Sequence, residues 1–75
     1  MNLDKLHTTE LGVIRIKKNL FLDAENVVDW CKNKIKLPHA TMTRKGKNWY
    51  VNVDKFIITV NGYSYTIITA HKEKK

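Results

Sequence analysis

Four side chains have types suited to metal-free chemistry on a phosphodiester: His7, Arg15, Tyr50 and His71. Histidine trades protons readily near neutral pH, and a neighbouring guanidinium steadies a developing oxyanion. His71 closes the stretch "ITVNGYSYTIITAH" beside a lysine-rich tail, whereas His7 stands just before a helical segment. The plainer readings are a histidine at the rim of the core and a local turn residue. A second group has types suited to binding. Arg44, Lys45 and Lys47 surround Gly46 in "RKGK", Asn48 and Tyr50 follow, and Thr66 and Lys72 come later. Cations grip phosphates, hydroxyl and amide groups hydrogen-bond to them, and an exposed tyrosine ring stacks a base. The same residues also suit a solvated turn and an ordinary strand face.

Other chemistries find no support in the spacing. His7, His39 and His71 match none of the usual zinc patterns, so no metal is expected. Paired carboxylates, a phosphate-cradling glycine loop and a Ser-His-Asp set are not recognisable, and no cofactor is expected. Cys31 is the single cysteine, which excludes an internal disulfide and suits a reducing compartment. It falls on an apolar helical stripe, where it acts as a small core hydrophobe rather than a nucleophile.

The elements that position these groups must fit into 75 residues, one small domain spanning 1–75. That length is near the limit for a single core, so association as a homodimer is one way to add stability. Net charge is +7. Residues 1–38 carry seven Lys or Arg against five acids, and residues 39–75 carry seven against two. The basic second half favours an anionic partner, with RNA or another nucleic acid first. No signal-peptide run and no apolar stretch of membrane-spanning length occur, so the expectation is a cytoplasmic protein with no membrane partner.

Helical periodicity covers the first half. The spacing predicts helices over about 8–19 and 24–36, the first capped by Thr8 or Thr9 and the second by Asp23. Gly12 weakens the first, and Pro38 stops the second. After Pro38 the period becomes two, predicting strands over about 40–44, 48–53, 56–61 and 63–71, with a frayed tail at 72–75. Lys45-Gly46, Asp54-Lys55 and Asn61-Gly62 are the expected turns, of which Asn-Gly is the strongest hairpin signal.

Tight turns there set a register. Val60 pairs with Tyr63, Ile58 with Tyr65, Phe56 with Ile67, Val51 with Ile58, and Met42 with Trp49. One face then collects Met42, Trp49, Val51, Val53, Phe56, Ile58, Val60, Tyr63, Tyr65 and Ile67. The opposite face collects Thr41, Thr43, Asn48, Tyr50, Asn52, Thr59, Ser64 and Thr66, with Ile57, Ile68 and Ala70 among them. By the same parity His71 points toward the helices. The fold is α+β: two N-terminal helices packed on one face of a four-stranded antiparallel β-meander. The "RKGK" tip and the lysines after the last strand (Lys72, Lys74, Lys75) are expected to converge at one end of the sheet.

Four blocks, "HTTELGVIRIKKNL", "VVDWCKNKI", "RKGKNWYV" and "ITVNGYSYTIITAH", resemble a catalogued family of small bacterial domains of unknown function across nearly the whole chain. That resemblance implies no activity. More distantly, helices bearing His and Arg followed by a meander ending in "IITAH" look like the barnase, colicin-RNase and RelE-like toxin superfamily. This likeness implies metal-independent RNA cleavage, with His7, Arg15, Tyr50 and His71 as candidate catalytic residues and Arg44 and Lys47 holding phosphate. Three readings therefore stand: an RNA-binding module, an endoribonuclease, and a protein-interaction or regulatory domain whose charge is incidental.

Overall fold

A computed structural model describes residues 2–20 and 26–73. After one 3-10 turn at Leu3–Lys5 come α1 (Glu10–Leu20), α2 (Val27–Ile35), and strands β1 (Thr41–Lys45), β2 (Asn48–Val53), β3 (Phe56–Asn61) and β4 (Ile67–Lys72). The strands form one antiparallel sheet in the order β1-β2-β3-β4. This is the α+β arrangement expected from the two periodicities.

Thr9 caps α1, its Oγ1 accepting from the Gly12 amide at 3.0 Å. Thr8 is used elsewhere: its hydroxyl donates to the Ile67 carbonyl at 2.8 Å, tying the start of α1 to β4. Gly12 is buried, and a Cβ there would collide with Thr8 Oγ1, so the helix-weakening glycine makes room for that tie. Asn26 caps α2, accepting from the Asp29 amide at 3.1 Å. The expected cap Asp23 and the expected first helical residue Ala24 lie outside the described residues.

The β2–β3 hairpin has the expected register, with Trp49 opposite Val60, Val51 opposite Ile58 and Val53 opposite Phe56. Its turn places both Asp54 (φ 50°) and Lys55 (φ 69°) in the left-handed region, as a type I′ turn requires. The β1–β2 turn falls one residue later than expected, at Gly46-Lys47. Met42 therefore faces Val51 rather than Trp49. A shift of two leaves every side chain on its expected face.

The last hairpin departs from expectation. Asn61-Gly62 does not close a two-residue turn. Asn61 Oδ1 accepts from the amides of Tyr63 and Ser64, and its carbonyl accepts from the Tyr65 amide. The chain returns only at Thr66, whose carbonyl accepts from the Asn61 amide. Tyr65 takes a φ of 58°, which is rare for a bulky residue. Val60 faces Ile67 instead of Tyr63, and a bulge between Thr59 and Val60 then sets Ile58 opposite Ala70 and Phe56 opposite Lys72. The bulge reverses the parity of everything after it. Ala70, expected on the open face, is fully buried, while His71 pairs with Ile57 on the open face rather than pointing at the helices. Tyr63, expected in the core, is 74% exposed.

One apolar cluster holds the layers together: Ile16 and Leu20 from α1, Val27, Cys31 and Ile35 from α2, and Val51, Val53, Ile58, Val60, Ile67 and Ala70 from the sheet. Burying each Val, Leu or Ile contributes about 1.5–3 kcal/mol. α1 packs chiefly on β4, and α2 reaches β2, so β1 receives little cover. Burial pushes the Cys31 thiol up to about 12, which keeps it protonated and inert at neutral pH. No helix among the described residues is long and apolar enough to cross a membrane.

Candidate nucleic-acid interface

The meander sends β1 and β3 toward one end of the sheet and β2 and β4 toward the other. The Gly46-Lys47 tip therefore meets the Asn61–Thr66 loop, and the Gly62 amide donates to the Lys47 carbonyl at 2.7 Å. The end of β4 lies instead beside the Asp54-Lys55 turn, where the Glu73 amide donates to the Lys55 carbonyl at 2.7 Å. The expected convergence of the two basic groups does not occur, because a fourth strand ends opposite the first turn. Lys74 and Lys75 lie outside the described residues.

At the tip, Arg44 faces Trp49 across the β1–β2 pair. Its guanidinium carbon sits 5.4 Å from the centroids of both Trp49 and Tyr63. Its Nε–H donates to the Gly46 carbonyl at 3.0 Å, which fixes the plane of the fork. Gly62 is needed for contact rather than for its backbone angle: a Cβ there would stand 2.5 Å from Arg44 Cζ and Nη1. The arrangement is a planar cation between two aromatic rings, worth about 0.5–1 kcal/mol per contact at an exposed site. Lys45 and Lys47 are exposed beside it. Among the described residues no carboxylate lies within ion-pair distance of Arg44, Lys45 or Lys47.

The face opposite the apolar core is laid out by the register; at its β4 side α1 reaches it, Asn19 Nδ2 donating to Thr69 Oγ1 at 3.3 Å, and Thr59 is buried. One row runs Lys45, Asn48, Asn61; the next runs Thr43, Tyr50, Thr59, Thr69; the third runs Thr41, Asn52, Ile57, His71. Thr43, Lys45, Gly46, Tyr50 and Asn52 line a shallow depression of about 510 Å³ directly behind the tip. Lys45, Asn48 and Tyr50 thus occupy the polar surface expected of them, and Arg44 extends the same basic tip onto the other face.

Thr66 and His7 belong to a different feature. Residues 6–8 run beside the start of β4, the His7 amide donating to the Tyr65 carbonyl at 3.2 Å and the Ile67 amide to the His7 carbonyl at 2.7 Å. His7 Nδ1–H donates to the Lys5 carbonyl at 2.9 Å, and Nε2 lies 3.0 Å from the Thr66 hydroxyl. Ser64 lies 2.8 Å from the same hydroxyl. The chain of bonds pins the N-terminal segment to the sheet edge and takes Thr66 away from the open face.

His71 sits about five strand residues further along β4, some 16 Å from the level of Thr66. With Asn19, Ile57, Lys72 and Glu73 it lines an open groove of about 830 Å³. Lys72 pairs with Phe56 at this same far end. Arg15 is exposed on α1. His7, Arg15, Tyr50 and His71 are therefore distributed over a sheet edge, a helix, the middle of the open face and its far end.

That far end has a cation–aromatic cluster of its own. Lys34 Nζ lies 5.6 Å from the Trp30 ring and 5.7 Å from the Phe56 ring, and the two rings meet edge to face at 5.4 Å. Here a carboxylate is present. Asp54 accepts from Lys34 at 2.9 Å and from His39 at 2.6 Å, and these two hydrogen bonds hold its carboxyl below its ordinary value.

Sequence reasoning missed Trp49, Gly62 and Tyr63 as partners of Arg44. With the turn one residue earlier, Arg44 would have faced Lys47, and Tyr63 was assigned to the core. No curated protein and no solved structure matches the chain. The family model for proteins of unknown function DUF3781 matches residues 1–71, and the chain belongs to that family.

Proposed function

We propose that the protein binds single-stranded RNA, with the Arg44–Lys45–Lys47 tip holding the phosphate backbone and the open face behind it receiving the bases. One observation carries this reading: the tip holds a pre-oriented guanidinium and two exposed lysines with no carboxylate partner among the described residues. A planar fork fixed between two rings loses little freedom on meeting a phosphate, and it binds two oxygens side by side. Half-buried Tyr50 and exposed Tyr63 supply ring faces for stacking, and Thr43, Asn48 and Asn52 supply hydrogen-bonding groups. The distribution of His7, Arg15, Tyr50 and His71 favours binding over cleavage, since proton transfer requires its acid and base to face one scissile bond.

Fluorescence anisotropy with a labelled single-stranded RNA tests the reading. Three phosphate contacts predict a slope of about −2 in the logarithm of affinity against the logarithm of salt concentration. An affinity indifferent to salt overturns it. Cleavage of the same RNA in EDTA, abolished by His71→Ala, replaces it with the ribonuclease reading.

A further inference from the structure

The two edges of the sheet are finished differently. Residues 6–8 cover the start of the β4 edge with two backbone bonds and the Thr8 hydroxyl, and α1 packs against the strand. Nothing among the described residues pairs with the outer edge of β1, all five residues of which are exposed. β1 contains no proline and pairs with β2 without a bulge, so it lacks two of the usual devices that blunt an edge. We infer that this edge pairs with a second copy of itself, antiparallel and centred on Thr43, to give a homodimer with one continuous eight-stranded sheet.

The backbone direction supports that register. A two-residue turn makes Lys45 and Asn48 a hydrogen-bonded pair, so Thr41, Thr43 and Lys45 spend their amides and carbonyls on β2. The same alternation leaves Asn48, Tyr50 and Asn52 facing β1, and Trp49, Val51 and Val53 facing β3, as the Asp54-Lys55 turn also demands. Met42 and Arg44 are left with outward amides and carbonyls. Centring on Thr43 sets Met42 opposite Arg44 of the other copy, which satisfies all of them with about four new bonds.

The side chains agree. Thr43 meets Thr43, a favourable cross-strand pair, and Lys45 meets Thr41, so no like charges stand opposite one another. Met42, 45% exposed, gains the aliphatic stem of the opposing Arg44. The dyad is normal to the sheet, so both open faces look the same way and the two Tyr50 rings lie three strand spacings apart, about 14 Å. The dimer would thus double the surface assigned to RNA above, although the pairing itself does not depend on that assignment.

Sedimentation equilibrium of the full chain at about 100 μM, a concentration chosen to populate an interface near the small end of the size range, tests the inference. Wild type is expected at twice its 8.8 kDa chain mass. Met42→Pro removes an outward amide without touching the β1–β2 bonds, and Thr43→Lys sets two ammonium groups against each other; both are expected at monomer mass with unchanged circular dichroism. Should the proline variant fail to fold, Thr43→Lys decides alone. A monomeric wild type, or a dimer that survives Thr43→Lys, overturns the inference. A dimer that binds no RNA supports the edge pairing while overturning the RNA reading, so the two fail separately.

Discussion

The sheet carries a cation between two aromatic rings at each end, and the two clusters differ in one respect. At the far end Lys34 lies over Trp30 and Phe56, and the carboxylate of Asp54 completes it. At the tip Arg44 lies between Trp49 and Tyr63, and no acid completes it among the described residues. The far cluster joins α2 to the β2–β3 turn and is part of how the fold is held. The tip cluster joins the β1–β2 hairpin to the Asn61–Thr66 loop, and Tyr63 is largely exposed. An anion is thus already in place where the arrangement is structural, and an equivalent anion site is open where it is not. That contrast is what the proposed RNA-binding reading rests on.

Exchanging the aromatic residues breaks the comparison most strongly. Trp30→Ala removes a half-buried ring packed on Phe56 and is expected to cost about 2–4 kcal/mol in urea unfolding. Tyr63→Ala should change stability by no more than about 0.5 kcal/mol, yet weaken RNA binding about fivefold or more through loss of stacking. Charge reversal comes next. Lys45→Glu with Lys47→Glu is expected to lower RNA affinity at least about tenfold, whereas Lys55→Glu at the other end should change it less than about twofold. Equal losses from the two ends would erase the distinction.

Gly62→Ala is a finer probe. Its methyl group displaces the end of a flexible side chain, so unfolding should be nearly unchanged while RNA affinity falls about threefold, roughly 0.6 kcal/mol. The smallest effect concerns Asp54. Its folded-state value is lowered by Lys34 and His39, so its stabilising contribution is complete above the unfolded-state value of about 4 and is lost as pH falls through the lower folded value. Asp54→Asn should therefore be less stable than wild type at neutral pH, and the gap should close on acidification below about pH 4.

The helices and strands β2 and β3 were legible because their apolar residues keep one period without interruption. Trp49, Val51 and Val53 alternate, as do Phe56, Ile58 and Val60, and that phasing fixed the β2–β3 register although Asp54-Lys55 is a modest turn signal. The stronger signal misled. The Asn61 side chain competes for the amides of Tyr63 and Ser64, which opens the Asn-Gly turn into a longer loop. The adjacent Ile67 and Ile68 could not both follow an alternating pattern, and the bulge there moved His71 to the open face. The exposed position of Arg44 and Lys45 beside a turn was legible from the "RKGK" motif. The seat of Arg44 was not, because its contacts depend on a turn placed one residue later and on a loop that only the full register brings alongside.

Backbone amide shifts recorded while single-stranded RNA is titrated into labelled protein test the central claim most directly. Perturbations are expected at residues 43–50 and 61–65, with residues 30–36 and 53–56 unchanged. Shifts concentrated around Lys34, Asp54 and His71, with the Arg44 tip silent, would contradict it.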